Sequence, residues 1–286
     1  MSNITVSVVM PVFNTAPYVR NAIQSVLNQS FTDFELIVVD DGSGDDSHEI
    51  CSQLANSDPR ITIVTHDQNR GLGAARNTGL ELAKGSFVYF IDSDDIIKSD
   101  ALENLCRIAN NTKADFVHCS AFYKRNELEQ GVFTDVVRCS FDLTHCVSSL
   151  PVDKNERLRN FFCKNGAKSM TWLNFFRRDF FVNNNIHFPN ILFEDVGFFA
   201  AALALADNVT VTHKALYVYS RRNNSLTNPR GNREDFRSKI ESSVTEGLRY
   251  LDDVFEHIPN SVLSDSIKSD CKNNFALRLR RYGSIL

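Results

Sequence analysis

Residues 34–43 read FELIVVDDGS, an apolar run that ends abruptly in two aspartates, a glycine and a serine. Residues 87–95 repeat the arrangement as FVYFIDSDD. Short runs of β-branched and aromatic residues that are bounded by polar turns are typical of buried strands. We therefore predict two strands that each deliver carboxylates at their carboxyl end.

Three further apolar runs extend this pattern: ITVSVVM at 4–10, RITIV at 60–64 and DFVHC at 115–119. Helical spacing fills the intervals, as at Tyr18, Val19, Ala22, Ile23, Val26 and Leu27. The order βαβαβαβαβ predicts an α/β fold, with a Rossmann-like, mostly parallel sheet covered by helices on both faces. Because ligands of such sheets bind outside the carboxyl ends of the strands, we expect the chemistry there.

Composition and charge narrow the classes of function. Hydrophobic residues make up 43% of the 286, which supports a sizeable core and excludes a disordered chain. A formal net charge of −4 and a pI near 6 make nucleic acid a poor partner. The seven cysteines include no Cys-x-x-Cys pair, so we expect reduced thiols in a cytoplasmic protein rather than disulfides or a zinc site.

The sequence also bears on membrane insertion. It contains no apolar stretch of the roughly 20 residues that a helix needs to span a bilayer. The first apolar run lacks a basic flank and is cut short by Pro11, which predicts a buried strand rather than a signal peptide. We expect no integral membrane segment.

The two acidic clusters form the candidate site. Asp92 and Asp94 make an Asp-x-Asp pair of hard oxygen ligands, suited to Mg²⁺ or Mn²⁺. We expect this cation to bind a nucleotide diphosphate and to neutralise charge on the departing group. For Asp95 the pattern leaves two interpretations open, a turn or helix-cap residue and a member of the site.

A family resemblance rests on five stretches: SVVMPVFN at 7–14, FELIVVDDGS at 34–43, NRGLGAARNTG at 69–79, FVYFIDSDD at 87–95 and FEDVGFF at 193–199. In this order and spacing they resemble the family 2 glycosyltransferases of bacterial polysaccharide and lipopolysaccharide assembly, over roughly residues 4–227. The resemblance implies a GT-A fold, a UDP-sugar donor and inversion at the anomeric carbon.

The resemblance also implies roles for residues on the first two strand-end loops. Pro11, Phe13 and Asn14 fall where the loop after the first strand meets the nucleoside. Asp41 matches the acid that looks like the uracil-binding one, and Asp40 stands beside it.

Further roles come from the later motifs. Arg76 matches a basic position near the nucleotide, although an arginine on a solvated helix face is an open alternative. Asp92, with its neighbour Ser93, falls on the ribose side of the donor, and Asp94 matches the direct metal ligand. Asp195 matches the aspartate that serves as the base in similar enzymes.

The Glu194-Asp195 pair has a second interpretation, because acids at a helix start also complement its dipole. That dipole predicts an Asp195 that stays ionised at neutral pH. YVYSRRNNSLT at 217–227 resembles a segment that closes near the donor phosphates, with Arg221, Arg222 and Ser225 as candidates.

Other functions are weighed against this one. A dehydrogenase would need Gly-x-Gly-x-x-Gly straight after the first strand, where MPVFN stands. A sugar-nucleotidyltransferase would carry a glycine-rich basic loop there, and it remains the alternative enzyme. A non-catalytic nucleotide-sugar-binding subunit is the alternative outside enzymes. The absence of a Gln-x-x-Arg-Trp string predicts a non-processive enzyme.

We expect three parts: residues 1–120 as the nucleotide-sugar-binding half, 121–228 as a smaller acceptor-binding half, and 229–286 as a C-terminal helical extension. Trp172 and its neighbouring phenylalanines are expected in the core of the second part. The acceptor is predicted to be a saccharide or a lipid-linked saccharide.

The basic residues near the C-terminus leave three alternatives open: peripheral contact with anionic membrane, packing on the catalytic domain, or packing on a second copy in a homo-oligomer.

Overall fold

The computed structural model describes residues 4–125, 136–137, 153–163, 169–221 and 233–284. Its elements in chain order are β1 (Val6–Val12), α1 (Ala16–Leu27), β2 (Phe34–Asp40), α2 (Ser47–Ala55), β3 (Ile61–Thr65), α3 (Leu72–Leu82), β4 (Phe87–Phe90), β5 (Ile96–Ile97), α4 (Ala101–Thr112), β6 (Phe116–Arg125), β7 (Val136–Val137), α5 (Lys154–Cys163), β8 (Asn174–Arg177), α6 (Arg178–Asn184), α7 (Glu194–Leu205), β9 (Val209–Arg221), α8 (Arg233–Glu256) and α9 (Asp265–Ser284). A 3-10 turn at Thr171–Leu173 precedes β8.

The strands of the described ranges form one sheet, in the order β3-β2-β1-β4-β8-β6-β9-β5, with β7 paired to β6. β3, β2, β1 and β4 run parallel to one another. Their carboxyl ends therefore lie along the same edge of the sheet, and the loops that carry the two acidic clusters are neighbours. The parallel, Rossmann-like half that the sequence predicts is confirmed.

Helices cover both faces of this sheet. Successive side chains of a strand point to opposite faces: Val8 and Met10 of β1 pack in a cluster with Ile23 of α1 and Leu105 of α4. Val9 packs in the other cluster, which includes residues of α3, α7, α8 and α9. Every residue of β1 and β2 is buried, as strands covered on both sides require.

The fifth strand of the predicted pattern does not lie next to the four parallel strands. The run at 115–119 is β6, which begins at Phe116 and is separated from β4 by the antiparallel strand β8. β8 comes from inside the aromatic stretch around Trp172, where the sequence indicated only lobe core. Because all of Asn174, Phe175 and Phe176 are buried, this short strand shows no alternation of polar and apolar residues.

The C-terminal helices share the core of the sheet. Ile240, Val244, Leu251 and Phe255 of α8 are all buried in the cluster that contains Val9. The boundaries near residues 120 and 228 stay predictions, and residues 126–135 and 138–152 lie outside the described part of the chain.

We predict that Gly79→Ala destabilises the fold. A Cβ at Gly79 of α3 would lie 2.3 Å from Cγ1 of Val9, so the helix could not keep its distance from β1. Overpacking costs about 1–3 kcal/mol, which exceeds the gain of up to about 1 kcal/mol in helix propensity. Urea unfolding should show a lower midpoint. Gly44→Ala is the control, because its Cβ would meet only Asn14 Oδ1 at 4.0 Å.

Candidate active site

The loop that follows β4 brings three carboxylates together. One oxygen from each of Asp92, Asp94 and Asp95 lies within 4.8 Å of the others. Asp92 and Asp94 are partly exposed, whereas Asp95 is fully buried. A set of hard oxygen donors with an open side fits a divalent cation such as Mn²⁺ or Mg²⁺, which Asp92 and Asp94 would hold.

Asp95 is bonded to strand β9. Its Oδ2 accepts a hydrogen bond from the Tyr217 hydroxyl at 2.7 Å, and its Oδ1 accepts one from the Ser220 amide at 2.6 Å. Burial, followed by the charges of Asp94 and Asp92, raises the pKa of Asp95 well above its usual value. The carboxyl group thus joins the loop to a strand more than 100 residues away, which neither interpretation from the sequence anticipates.

The two acids at the end of β2 accept hydrogen bonds from the backbone of neighbouring loops. Asp40 is buried, its Oδ1 accepts the Ser43 amide at 3.0 Å, and His48 Nδ1 lies 3.0 Å from its Oδ2. Its position beside Asp41 is as the resemblance implies, but its carboxylate contacts protein on both oxygens.

Asp41 fixes the segment that leads into α3. Its carboxylate accepts hydrogen bonds from the amides of Arg70 at 2.9 Å and Gly71 at 2.8 Å, and His66 Nδ1 lies 2.6 Å away. A uracil contact by Asp41 stays a prediction. His66 was missed by the sequence analysis, because a lone histidine after β3 carries no motif.

The residues predicted to meet the nucleoside lie beside this loop. Phe13 is 43% exposed, an unusual exposure for a phenylalanine and one that leaves its ring free to contact a base. Asn14 adopts φ 52° and its Oδ1 accepts the Gly44 amide at 2.8 Å, which ties the β1 loop to the β2 loop. Pro11 is buried within β1. Ser93 is buried too, and its Oγ accepts the Thr15 hydroxyl at 3.0 Å.

Arg76 of α3 connects the metal-binding loop with α7. Its Nη2 donates to Asp92 Oδ1 at 2.9 Å, and its Nη1 donates to Glu194 Oε1. The guanidinium also lies over the Phe188 ring, 5.5 Å from the centroid. Since the Arg76 side chain is only 3% exposed, the alternative of a solvated helix face is wrong. A direct contact of Arg76 with the nucleotide stays a prediction.

Asp195 stands in the first turn of α7, next to Glu194. It is half-buried, and the Ser169 hydroxyl donates to its Oδ2 at 3.4 Å. Burial, then the charge of Glu194, raises the pKa of Asp195 to about 7, against the opposing charges of Arg76 and Arg278. Desolvation and a like charge thus oppose the helix dipole, which the sequence analysis expected to keep Asp195 ionised at neutral pH.

Glu194 is the more deeply buried of the pair. Its side chain is 6% exposed, and burial raises its pKa although Arg76 acts in the opposite direction. Glu194 Oε1 accepts a hydrogen bond from Arg76. Asp195 is the more exposed acid of the pair.

The structure thus brings together one candidate site, formed by Asp92, Asp94, Arg76, Glu194 and Asp195. Asp40 and Asp41 lie on the adjacent loop. Residues 222–232, including Arg222 and Ser225, and the side chain of Arg221 lie outside what the structure describes. Trp172 lies in the core, as expected. It is 3% exposed, and its ring stacks on that of Tyr217 with 4.2 Å between the ring centroids.

Helix α9 packs on the core cluster that contains Val9 and on helices α5 and α8. Phe275 and Leu279 are buried in the core, and Arg280 pairs with Glu241 of α8 at 2.9 Å. Arg278 lies over the ring of Phe161 of α5 at 4.9 Å and acts on the pKa of Asp195. Of the alternatives for the C-terminal segment, packing on the catalytic domain is found, while contact with a membrane or a second copy stays a prediction.

No helix in the described ranges combines the length and the apolar composition needed to cross a bilayer.

The sequence of this chain matches known glycosyltransferases. The model of a family described as glycosyl transferase family 2 matches residues 7–190. EpsJ of Bacillus subtilis, described as an uncharacterized glycosyltransferase, is 32% identical over 224 residues, 78% of this chain. The chain spans 62% of that relative's own length.

Two solved structures show the fold. TarS of S. aureus in complex with UDP-GlcNAc aligns with a TM-score of 0.64 at 20% identity, covering 97% of this chain and 91% of that chain. The mannosyltransferase PcManGT of Pyrobaculum calidifontis, in complex with GDP-Man and Mn²⁺, aligns with a TM-score of 0.57 at 17% identity, covering 98% and 79%. The GT-A fold implied by the sequence is confirmed.

We predict that Arg76→Met destabilises the protein by about 3–5 kcal/mol, because it leaves the buried Glu194 without its cation. Adding Glu194→Gln should restore part of the loss, since the unpaired charge is then removed. The measurement is urea unfolding of both variants. Arg249→Met is the control, as Arg249 pairs with Glu246 on the exposed surface of α8 and should change little. If Arg76→Met and Arg249→Met lowered the free energy of unfolding equally, the pairing of Arg76 with a buried carboxylate would not contribute as proposed.

Proposed function

The chain belongs to glycosyl transferase family 2, and from that premise we propose that it is an inverting, metal-dependent, non-processive glycosyltransferase. It moves a sugar from a UDP-sugar to a hydroxyl of a saccharide or lipid-linked saccharide acceptor, in bacterial surface polysaccharide synthesis at the cytoplasmic side of the membrane. The observation that carries the proposal is that one arginine joins the candidate metal-binding loop to the helix that carries the candidate base. The Asp92 and Asp94 carboxylates and the Asp195 carboxylate come from distant parts of the chain, and Arg76 donates to Asp92 and to Glu194, the residue directly before Asp195.

Donor binding falls to the strand-end loops. Asp92 and Asp94 would hold a divalent cation, which supplies charge neutralisation for the leaving diphosphate when it is bound. Phe13 offers an exposed ring, and Asp41 lies on the adjacent loop, so the nucleoside would lie over these two loops. The complexes of TarS with UDP-GlcNAc and of PcManGT with GDP-Man and Mn²⁺ support a nucleotide-sugar donor and a metal.

Asp195 is the proposed general base. Its oxygen takes the proton of the acceptor hydroxyl while that oxygen bonds to the anomeric carbon. The bond from this carbon to the diphosphate oxygen breaks in the same step, and its electron pair leaves with UDP. Attack from the side opposite the leaving group inverts the configuration, and no covalent sugar–enzyme intermediate forms.

The charge surroundings suit Asp195 to this role. A base works best when its pKa lies near the operating pH, and the pKa of Asp195 is raised to about 7. The strand-end acids Asp40 and Asp41 are bonded to protein, and Glu194 is bonded to Arg76. Asp195 is thus the carboxylate on this side of the site with the capacity to accept a proton.

We predict that the protein releases UDP from a panel of UDP-sugars in the presence of Mn²⁺, with water as the acceptor, and that EDTA abolishes the release. Asp195→Asn should lower turnover by about 10²-fold or more, because the amide cannot act as a base, with UDP-sugar binding unchanged by calorimetry.

Asp253→Asn is the matched control for that experiment, since Asp253 is exposed on α8 and far along the chain from the site. Turnover by Asp195→Asn at the level of the control would refute the role of the base. A sugar-nucleotidyltransferase would instead consume a nucleoside triphosphate, and a non-catalytic binder would bind UDP-sugar without releasing UDP.

We predict that turnover rises with pH to a midpoint near 7, because only the ionised form of Asp195 accepts a proton and its pKa is about 7. Arg278→Ala should move this midpoint to higher pH, since the arginine's charge lowers the pKa of Asp195. Arg280→Ala on the same helix is the control and should leave the midpoint in place, as Arg280 pairs with Glu241. An unchanged midpoint in Arg278→Ala would rule out this electrostatic link.

A further inference from the structure

The hydroxyl group of Tyr217 lies between two aspartates of the metal-binding loop. It donates to Asp95 Oδ2 at 2.7 Å and accepts the backbone amide of Asp92 at 3.2 Å. The second oxygen of Asp95 accepts the amide of Ser220 at 2.6 Å. A single residue of β9 thus contacts both the first and the last acid of the Asp92–Asp95 loop.

Tyr217 itself is fixed in place. It is fully buried, and its ring stacks on Trp172 at 4.2 Å with an angle of 14° between the planes. The backbone of β9 also pairs with β5, the strand that begins directly after the loop, with Ile97 opposite Tyr217. The loop therefore lies between β4 and β5, and β9 holds its first and last residues, Asp92 and Asp95, from the side.

These contacts separate the roles of the three aspartates. Asp92 and Asp94 are partly exposed, so each can present an oxygen to a cation from the open side. Asp95 has no exposed surface, and both of its oxygens accept hydrogen bonds from β9. Breaking them would leave a buried hydroxyl and a buried amide without an acceptor, which is unfavourable for both groups.

We infer that Tyr217 and Asp95 are positioning residues which hold the Asp92–Asp94 pair in its metal-binding geometry, and that Asp95 is not a third metal ligand. The inference rests on the proposed metal dependence. Residues that orient ligands in this way typically change metal affinity by about 10–100-fold when they are replaced.

The test measures Mn²⁺ affinity directly, by electron paramagnetic resonance of free Mn²⁺ in the presence of saturating UDP, with no turnover needed. Tyr217→Phe keeps the stacked ring and removes the hydroxyl, and it should weaken Mn²⁺ binding by about 10-fold or more. Tyr89→Phe is the matched control, because Tyr89 is also fully buried and its hydroxyl makes no hydrogen bond to the Asp92–Asp95 loop. The control should bind Mn²⁺ like the parent.

A double-mutant cycle distinguishes an anchor from a ligand. Asp95→Asn should weaken Mn²⁺ binding about as much as Tyr217→Phe, and the double variant should be no worse than either, because both substitutions break one unit. Additive losses would make Asp95 an independent ligand and overturn the inference. Mn²⁺ binding by Tyr217→Phe equal to that of the control would also overturn it, whereas a parent that binds no Mn²⁺ refutes the metal dependence and the inference together.

Discussion

The buried guanidinium of Arg76 is the interaction on which the candidate site depends. It donates to Asp92 on the metal-binding loop and to Glu194 at the start of α7, and its side chain is 3% exposed. A buried charge is retained only where it is paired, so this arginine requires both carboxylates to stay where they are. Because Asp195 follows Glu194 directly, the bridge also sets the position of the proposed base relative to Asp92 and Asp94.

The same bridge shapes the electrostatics of the site. Asp92, Asp94, Asp95, Glu194 and Asp195 outnumber the cations that face them, of which Arg76 and Arg278 are two. Burial first, and then neighbouring like charges, raise the pKa values of Asp195 and Asp95. An excess of carboxylates at the open side of the loop favours a cation there, and Asp195 at a pKa of about 7 can both accept and release a proton near neutral pH.

The sequence predicts those parts of the fold and site that are written in local patterns. Strands β1 to β4 and their helices follow from apolar runs and helical spacing, and the acids at the ends of β2 and β4 follow from strand position. The bond of Tyr217 to Asp95, the effect of Arg278 on Asp195 and strand β8 were missed, because each arises from contacts with residues far away in the chain. The raised pKa of Asp195 was missed for a related reason: the helix dipole is visible in the sequence, whereas the burial that opposes it arises from packing.

The proposed reaction is a single displacement in which Asp195 accepts the proton on the side opposite the leaving UDP. The most direct test is the anomeric configuration of the sugar first released from an α-linked UDP-sugar, followed by ¹H NMR before mutarotation equilibrates the anomers. Inversion predicts that the β-anomer appears first. Initial release of the α-anomer would contradict it, because retention requires a different arrangement of catalytic groups.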